Sequence, residues 1–350
     1  MLAAQVYGAR FSLGENAFVL SGATRTGDLP TQMQVLAAYV ADPGWRGEAF
    51  RRQQTAARTV HDQMEATDTG VLNRELSGLL HAGDRRFTFP SRDDLAKAQL
   101  GDLQAQIAPH LATDPIEVVI VGDITVEKAT EAVARTFGAL PIRPALTPLP
   151  AGQRQIGFPA GAAAPIILTH KGRADQAVGY IAWPTTDLWA NPQRALDTDV
   201  MGQVMELRLI DELREAQGAT YSPSVTYQHS QTWTGWGYLA ASVEVPPARL
   251  DGFYRDVSKI AADLRTIPVT PDELARAKKP RLDGLQRSRL TNQYWLAELS
   301  GAQADPRRID FTRKIIPGTE RVTAADVQRA AQFVFQDGRA FRLEVRPAAK

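Results

Sequence analysis

The sequence predicts an α+β fold: two homologous α/β domains, each a mixed β-sheet packed against helices, with the first N-terminally truncated. Three observations predict it. The chain resembles itself at a spacing of 224 residues. Short β-branched runs alternate with longer stretches of helical periodicity in both copies. A proline-rich passage separates the copies and reads as a linker. The composition suits a folded chain, with 44% hydrophobic and 23% charged residues. That excludes wholesale disorder, which needs few apolar residues and a large net charge.

The repeat rests on several stretches in one register. Asp102-Leu103-Gln104 meets Asp326-Val327-Gln328, and Ile116 to Val121 (IEVVIV) meets Ala340 to Val345 (AFRLEV). Glu48 to Arg52 falls on Asp272 to Arg276, and Ala17 to Leu20 on Ala241 to Glu244. A shift of about three residues near Leu29 and Leu250 marks one loop of different length. A repeat this long is a domain rather than a solenoid unit. The expected division is residues 1–143, a Pro-rich linker at 144–165, and a complete second domain at 166–350. Residues from about Pro165 to Ser224 have no counterpart, so the first domain is expected to lack roughly its first 60 residues. A sheet without its first strands exposes unpaired edges. The first domain is therefore expected to pack against a missing half or a second copy of the chain.

Each element follows from local pattern. Phe18 to Ala23 reads as a strand. Asp28 to Val40 reads as a helix, with Leu29, Met33, Leu36 and Val40 at helical spacing, and Pro43-Gly44 ends it. Glu48 to Leu80 reads as one long helical stretch with a break near Gly70. Ser91 stands as N-cap for the next helix. Asp102 to Leu111 is helical. Ile116 to Val121, β-branched and nearly all apolar, reads as a buried strand. Thr125 caps a helix over Val126 to Phe137. In the second copy, Ile166 to His170 and Ala177 to Trp183 read as strands. Asn191 to Glu215 reads as one long helix, and Tyr221 to Tyr227 and Gly237 to Val245 as strands. Leu250 to Leu264 is a helix, and Pro271 opens the next as its first-turn proline. Ala324 to Phe335 and the strand Phe341 to Val345 complete the plan.

Several chemistries are excluded. The chain carries 40 basic and 39 acidic residues, so its net charge of +1 gives no case for nucleic acid or an anionic membrane as partner. No stretch approaches the roughly 20 apolar residues of a membrane span. Met1 to Arg10 does not read as a secretory signal. Without cysteine there is no thiolate metal site and no cysteine nucleophile. The five histidines, at 61, 81, 110, 170 and 229, include no two within five residues. His61 with Glu65 is half a metal site, or a solvated pair. No cofactor is expected in this chain. Lys278-Lys279 and Arg307-Arg308 read as solvated surface. Trp233, Trp236 and Tyr238 read as strand packing or a binding platform.

One junction stands out. A long helix ends in Leu213-Arg214-Glu215, Gly218 turns the chain, and Tyr221 opens a strand. A guanidinium can grip a carboxylate or peptide carbonyl through several donors. A phenol can donate to a developing oxyanion. Read alone, the same pattern also suits a salt-bridged Arg and a core Tyr.

This Arg214…Tyr221 step resembles a signature of the pitrilysin/insulinase metallopeptidases. Val119-Ile120-Val121-Gly122-Asp123-Ile124-Thr125, followed by Phe137-Gly138-Ala139-Leu140-Pro141, is similar to that family's strand–Gly-Asp–helix–F-G-x-L-P passage. Thr270 to Lys278 resembles its usual helix start, and Asn292 to Leu296 a passage in bacterial four-domain members. The resemblance implies repeated α/β domains paired into two halves that close like a clamshell. It implies a zinc motif H-x-x-E-H on an N-terminal half or partner subunit, absent from this sequence. Arg214 would then bind the substrate backbone and Tyr221 would serve the carbonyl oxyanion. This chain would be the non-catalytic C-terminal half of a zinc endopeptidase acting on peptide substrates, inactive alone and periplasmic in its full-length form. The alternative is a structural or assembly subunit of the same fold without peptidase activity.

Overall fold

The computed structural model describes residues 4–217 and 223–349, the side chains of 213–217 excepted. Two compact units emerge from its contacts, and each is assembled from three stretches of chain. Unit 1 comprises Met1–Thr55, Asp94–Leu149 and Gln286–Arg313; unit 2 comprises Ala56–Asp93, Pro150–Leu285 and Lys314–Lys350. One helical segment from each half of the sequence thus belongs to the unit built mainly from the other half.

Unit 2 is built on a five-stranded sheet. Its strands are β3 (Ile166–His170), β4 (Ala177–Pro184), β5 (Ser224–His229), β6 (Gly237–Val245) and β7 (Phe341–Pro347), in the order β3-β7-β4-β6-β5. β3 runs parallel to β7 and every other neighbour is antiparallel, so the sheet is mixed. The expected Ala177 to Trp183 strand is its centre, because a run apolar on both faces must be covered on both faces. Strand period two divides it. Ile181 and Trp183 join the main core with Val200, Val204 and Met205 of α7 (Pro192–Gln217), Phe253 and Val257 of α8 (Leu250–Thr266), and Val327 and Val334 of α12 (Ala324–Val334). Val178 turns the other way and meets Val71 of α3 (Asp68–Leu80) and Val345 of β7.

Gly179 faces the main core, where a Cβ would lie 2.8 Å from Phe253 Cδ1 and 3.1 Å from Leu250 Cδ2. Both neighbours are themselves buried, so neither has room to give. Gly179→Val is expected to cost about 1–3 kcal/mol through overpacking, seen as a lower urea midpoint at unchanged slope.

The long stretch from Glu48 to Leu80 is two helices, α2 (Gly47–Met64) and α3. The break falls ahead of Gly70 because Thr67 is extended and its side chain accepts from Gly70 N, making it the N-cap of α3. Glu65, just past α2, is an ion-pair hub. It receives Lys171 Nζ at 2.6 Å, Arg92 at 3.0 Å and Arg74 at 3.4 Å. The hydrogen bond from Lys171 leads, partial burial opposes it, and the Arg92, Lys171 and Arg74 charges add, holding the Glu65 carboxyl down to about 2. A carboxylate depressed in the fold stabilises it fully above its unfolded value of about 4.5 and loses that contribution as pH falls through about 2. Glu65→Gln is therefore expected to lower stability at pH 7 by about 1–2 kcal/mol. The gap from wild type should narrow below pH 4.5 and close near 2. A pH-independent gap in thermal melts would remove the charge from the explanation.

Unit 1 contains the hairpin β1 (Arg10–Leu13) and β2 (Phe18–Ser21), with α1 (Leu29–Ala41), α5 (Leu100–Thr113) and α6 (Val126–Ala134). The remaining helices are α4 (Arg92–Lys97), α9 (Pro271–Ser288), α10 (Asn292–Leu299) and α11 (Arg307–Glu320). α1 buries Met33, Ala37 and Val40, one face at helical spacing. Its Gln32 amide clamps Gly8, accepting from Gly8 N at 2.8 Å and donating to Gly8 O at 2.7 Å. Thr125 caps α6, as its position ahead of the helix suggested. That helix stops at Ala134, where the Thr136 hydroxyl takes up the Ala132 carbonyl at 2.7 Å.

Ile116 to Val121 departs from expectation. These residues are half-buried but join no strand ladder among the described residues. A β-branched run becomes a strand only beside another backbone that meets its hydrogen bonds. Here the run is held by a side chain instead: Glu117 accepts from Gly301 N at 2.5 Å and Gln303 N at 2.9 Å.

Candidate functional site at the end of the long helix

α7 carries the predicted site toward its C-terminus. Its core stripe is Leu196, Val200, Val204 and Leu209, each at most 2% exposed. That stripe lays the helix across β5 and β6. Its last turns are fixed by charge. Arg208 Nε pairs with Glu273 of α9 at 2.8 Å, and Glu212 receives Lys259 of α8 at 2.7 Å. Beyond the junction, Val225 N of β5 donates back to Glu206 of α7 at 3.4 Å. The end of the helix and the start of the strand are thus positioned from described residues. Arg214 lies in the last turn of α7, but its side chain falls outside the described residues, and so does Tyr221.

A buried polar cluster at the other end of the same layer was not foreseen. Asp199 of α7 is 6% exposed. Its carboxylate accepts from Arg281 Nη2 of α9 at 2.6 Å and lies 3.0 Å from His229 Nε2 of β5. The Arg281 Nη1 group also donates to the Tyr227 hydroxyl, and the guanidinium stands 5.5 Å from the Tyr227 ring centre. Burial raises the Tyr227 phenol above its usual range, with the Asp199 charge acting in the same sense. Arg281 Nε is buried with no hydrogen-bond partner among the described residues. The cluster ties α7, β5 and α9 together. One signal was available: Asp199 sits three residues after Leu196, on the apolar stripe of its helix.

The aromatic group is packing rather than a platform. Trp233 and Trp236 are 3% and 2% exposed. His81 is stacked between Phe87 and Trp236, with centroids 3.7 and 4.2 Å away, and Trp236 Nε1 donates to Leu80 O. Burial lowers the His81 pKa. Lys278 is not idle surface either, since its ammonium meets the Glu320 carbonyl at the end of α11 and the Val322 carbonyl just beyond it.

The described residues do not form a zinc centre. Among the described residues, no three His, Cys, Asp or Glu side chains gather as a metal set. His61 Nδ1 is 3.9 Å from Glu65, whose carboxylate is already engaged by three cations. Among the described residues, no helix is long and apolar enough to cross a membrane.

The family model described as the peptidase M16 inactive domain matches residues 97–280, just over half of the chain. No curated protein matches the sequence. A crystal structure of a peptidase M16 inactive domain from Pseudomonas fluorescens has TM-score 0.78 and 18% identity, covering 98% of this chain and 82% of that one. The periplasmic protease PqqL from Escherichia coli has TM-score 0.74 and 15% identity; 99% of this chain covers 38% of it. Complex III2 from Candida albicans contains a chain with TM-score 0.73 and 13% identity, covered to 82% by 98% of this one. At such identities the solved structures speak for the fold, a mixed sheet packed against helices, and the matched model speaks for descent. The chain belongs to the peptidase M16 family and corresponds to its inactive domain.

Proposed function

We propose that this chain is the non-catalytic half of a zinc-dependent endopeptidase, closing a peptide chamber whose H-x-x-E-H motif lies on another half. The observation that carries this is the match to the M16 inactive domain. In this reading the two sequence repeats, at residues 1–143 and 166–350, form one half of the clamshell. Arg214 holds the substrate backbone, and Tyr221 donates to the carbonyl oxygen as it gains charge. Zinc, supplied by the other half, would provide Lewis-acid chemistry. The likeness to periplasmic PqqL supports a periplasmic setting for the full-length protein.

The test is reconstitution. The chain alone, mixed with internally quenched peptides, is expected to give no turnover. Addition of an H-x-x-E-H-bearing half is expected to give zinc-dependent cleavage. A second reading, an assembly subunit without peptidase activity, draws on the likeness to a chain of complex III2. It predicts binding of the other half with no cleavage.

A further inference from the structure

β3 is an outermost strand of the unit 2 sheet and, among the described residues, pairs with β7 alone. At the end of this parallel ladder Ala348 N donates to His170 O at 2.9 Å. Backbone groups of successive strand residues alternate in direction. Those of Ile166, Leu168 and His170 therefore turn to β7, and those of Ile167 and Thr169 turn outward. The outward stretch is bounded at both ends. Lys171 N, the next outward donor, is engaged by Glu65 O at 2.8 Å. Pro165, the preceding outward position, has no N–H to offer. Between them, Ile167 and Thr169 each present one N–H and one C=O to the edge.

The side chains leave this edge unguarded. Exposed edges are ordinarily protected by a charge, a proline or a bulge. Ile166 to His170 (IILTH) has no charged residue and no proline. Ile166 and Ile167 stand on opposite faces of the sheet and are 42% and 58% exposed. On one face Leu168 packs against Val71, Val178 and Val345. On the other, Ile167 is level with Glu344 of β7, and Glu344 lines a groove with Asp251, Tyr254 and Arg255 of α8.

We propose that β3 pairs antiparallel with β3 of a second copy of this chain, joining two unit 2 sheets edge to edge about a two-fold axis. The outward groups select both the occupant and its register. An antiparallel hydrogen-bonded pair exchanges both of its N–H···O bonds. Ile167 set against Thr169 of the second copy, with Thr169 set against Ile167, satisfies the outward groups of both residues on both edges. Ile167 set against itself would bring Thr169 to Pro165, which has no donor. Thr169 set against itself would bring Ile167 to Lys171, whose donor is engaged. A second copy brings the same short window with the same boundaries, and its uncharged strand meets no like charge. α8 adds complementarity. Asp251 and Arg255 lie one turn apart along the groove, and a two-fold presents them to their own copies in reverse order. The interface is isologous, so each edge covers the other and growth stops at the dimer. The sheet of unit 2 carries this inference, so a failed peptidase assay would leave it intact.

Light scattering of the full chain tests it. The mass is expected to rise from one chain toward two with concentration. Ile167→Lys/Thr169→Lys sets Lys against Lys in both pairs and is expected to hold the chain monomeric. Both positions are exposed, so its thermal melt should match wild type. The sequence has no cysteine, so introduced thiols report the register. Ile167→Cys mixed with Thr169→Cys is expected to give a disulfide-linked heterodimer, because directly opposed Cα atoms lie about 5.5 Å apart. Ile167→Cys alone should stay unlinked, since its own copy lies on the diagonal, about 7–8 Å away. A monomer at every concentration, a dimer that survives both lysines, or Ile167→Cys linking to itself as fast as to Thr169→Cys would each overturn the pairing. So would hydrogen-exchange protection of the Ile167 and Thr169 amides that appears only when the quenched peptide is added, which would assign the edge to a peptide.

Discussion

Asp199→Ala is expected to destabilise the protein by about 3–5 kcal/mol, the scale for breaking a buried ion pair from one side. The geometry behind the figure is specific. The carboxylate is 9% exposed at its side chain and Arg281 16%. Removing Asp199 leaves the Arg281 charge beside the Tyr227 ring with no anion, and takes the acceptor from His229 Nε2. Desolvation of the remaining guanidinium, rather than the lost attraction, dominates the cost. Asp199→Ala/Arg281→Met should therefore recover much of the loss, because a pair replaced by apolar groups is often neutral. Urea unfolding of the two single variants and the double variant measures the coupling. A single-variant cost below about 1 kcal/mol would mean that water reaches the pair, as at exposed bridges.

The long helix shows what was legible in the sequence. Leu196, Val200 and Val204 recur at helical spacing, and all three are buried. Pro271 opens α9 as a first-turn proline should, and the alternation in Gly237 to Val245 becomes β6. These features are local, so a single stretch of sequence contains them. Asp199 was not legible as a buried charge, because its partners stand 30 and 82 residues away. Local pattern marks Glu48 to Leu80 as helical, but no period says which sheet Val71 will meet. The exchange of the segments Ala56–Asp93 and Gln286–Arg313 between units is therefore a tertiary fact. The run 116–121 illustrates the converse. Its composition is that of a central strand, and pairing depends on a neighbour that the run itself cannot supply.

The candidate site divides in the same way. Arg214 and Tyr221 were found by resemblance, since two residues seven apart across a turn have an ordinary structural reading as well. The described residues fix the frame of that turn through Arg208–Glu273, Glu212–Lys259 and Val225–Glu206. They set where a side chain on the last turn of α7 begins.

On the proposed reading, Tyr221→Phe in the assembled enzyme lowers kcat roughly 100- to 1000-fold, the usual cost of one oxyanion donor. The variant removes one hydroxyl and nothing else. Binding of the uncharged substrate carbonyl depends little on that donor, so KM should hold while kcat and kcat/KM fall together. Arg214 predicts the other pattern. A grip on substrate backbone away from the reacting carbonyl acts in ground and transition states alike, so Arg214→Ala should raise KM with kcat nearly intact. Arg214→Lys should behave closer to Ala than to Arg if the grip is bidentate, since an ammonium cannot reproduce the guanidinium fork. A purely structural role for either residue predicts something else: a lower melting temperature, with activity recovered at lower temperature. Steady-state kinetics beside thermal melts therefore separate the roles. Full turnover by Tyr221→Phe, or a kcat loss matched by a fall in stability, would remove Tyr221 from the chemistry.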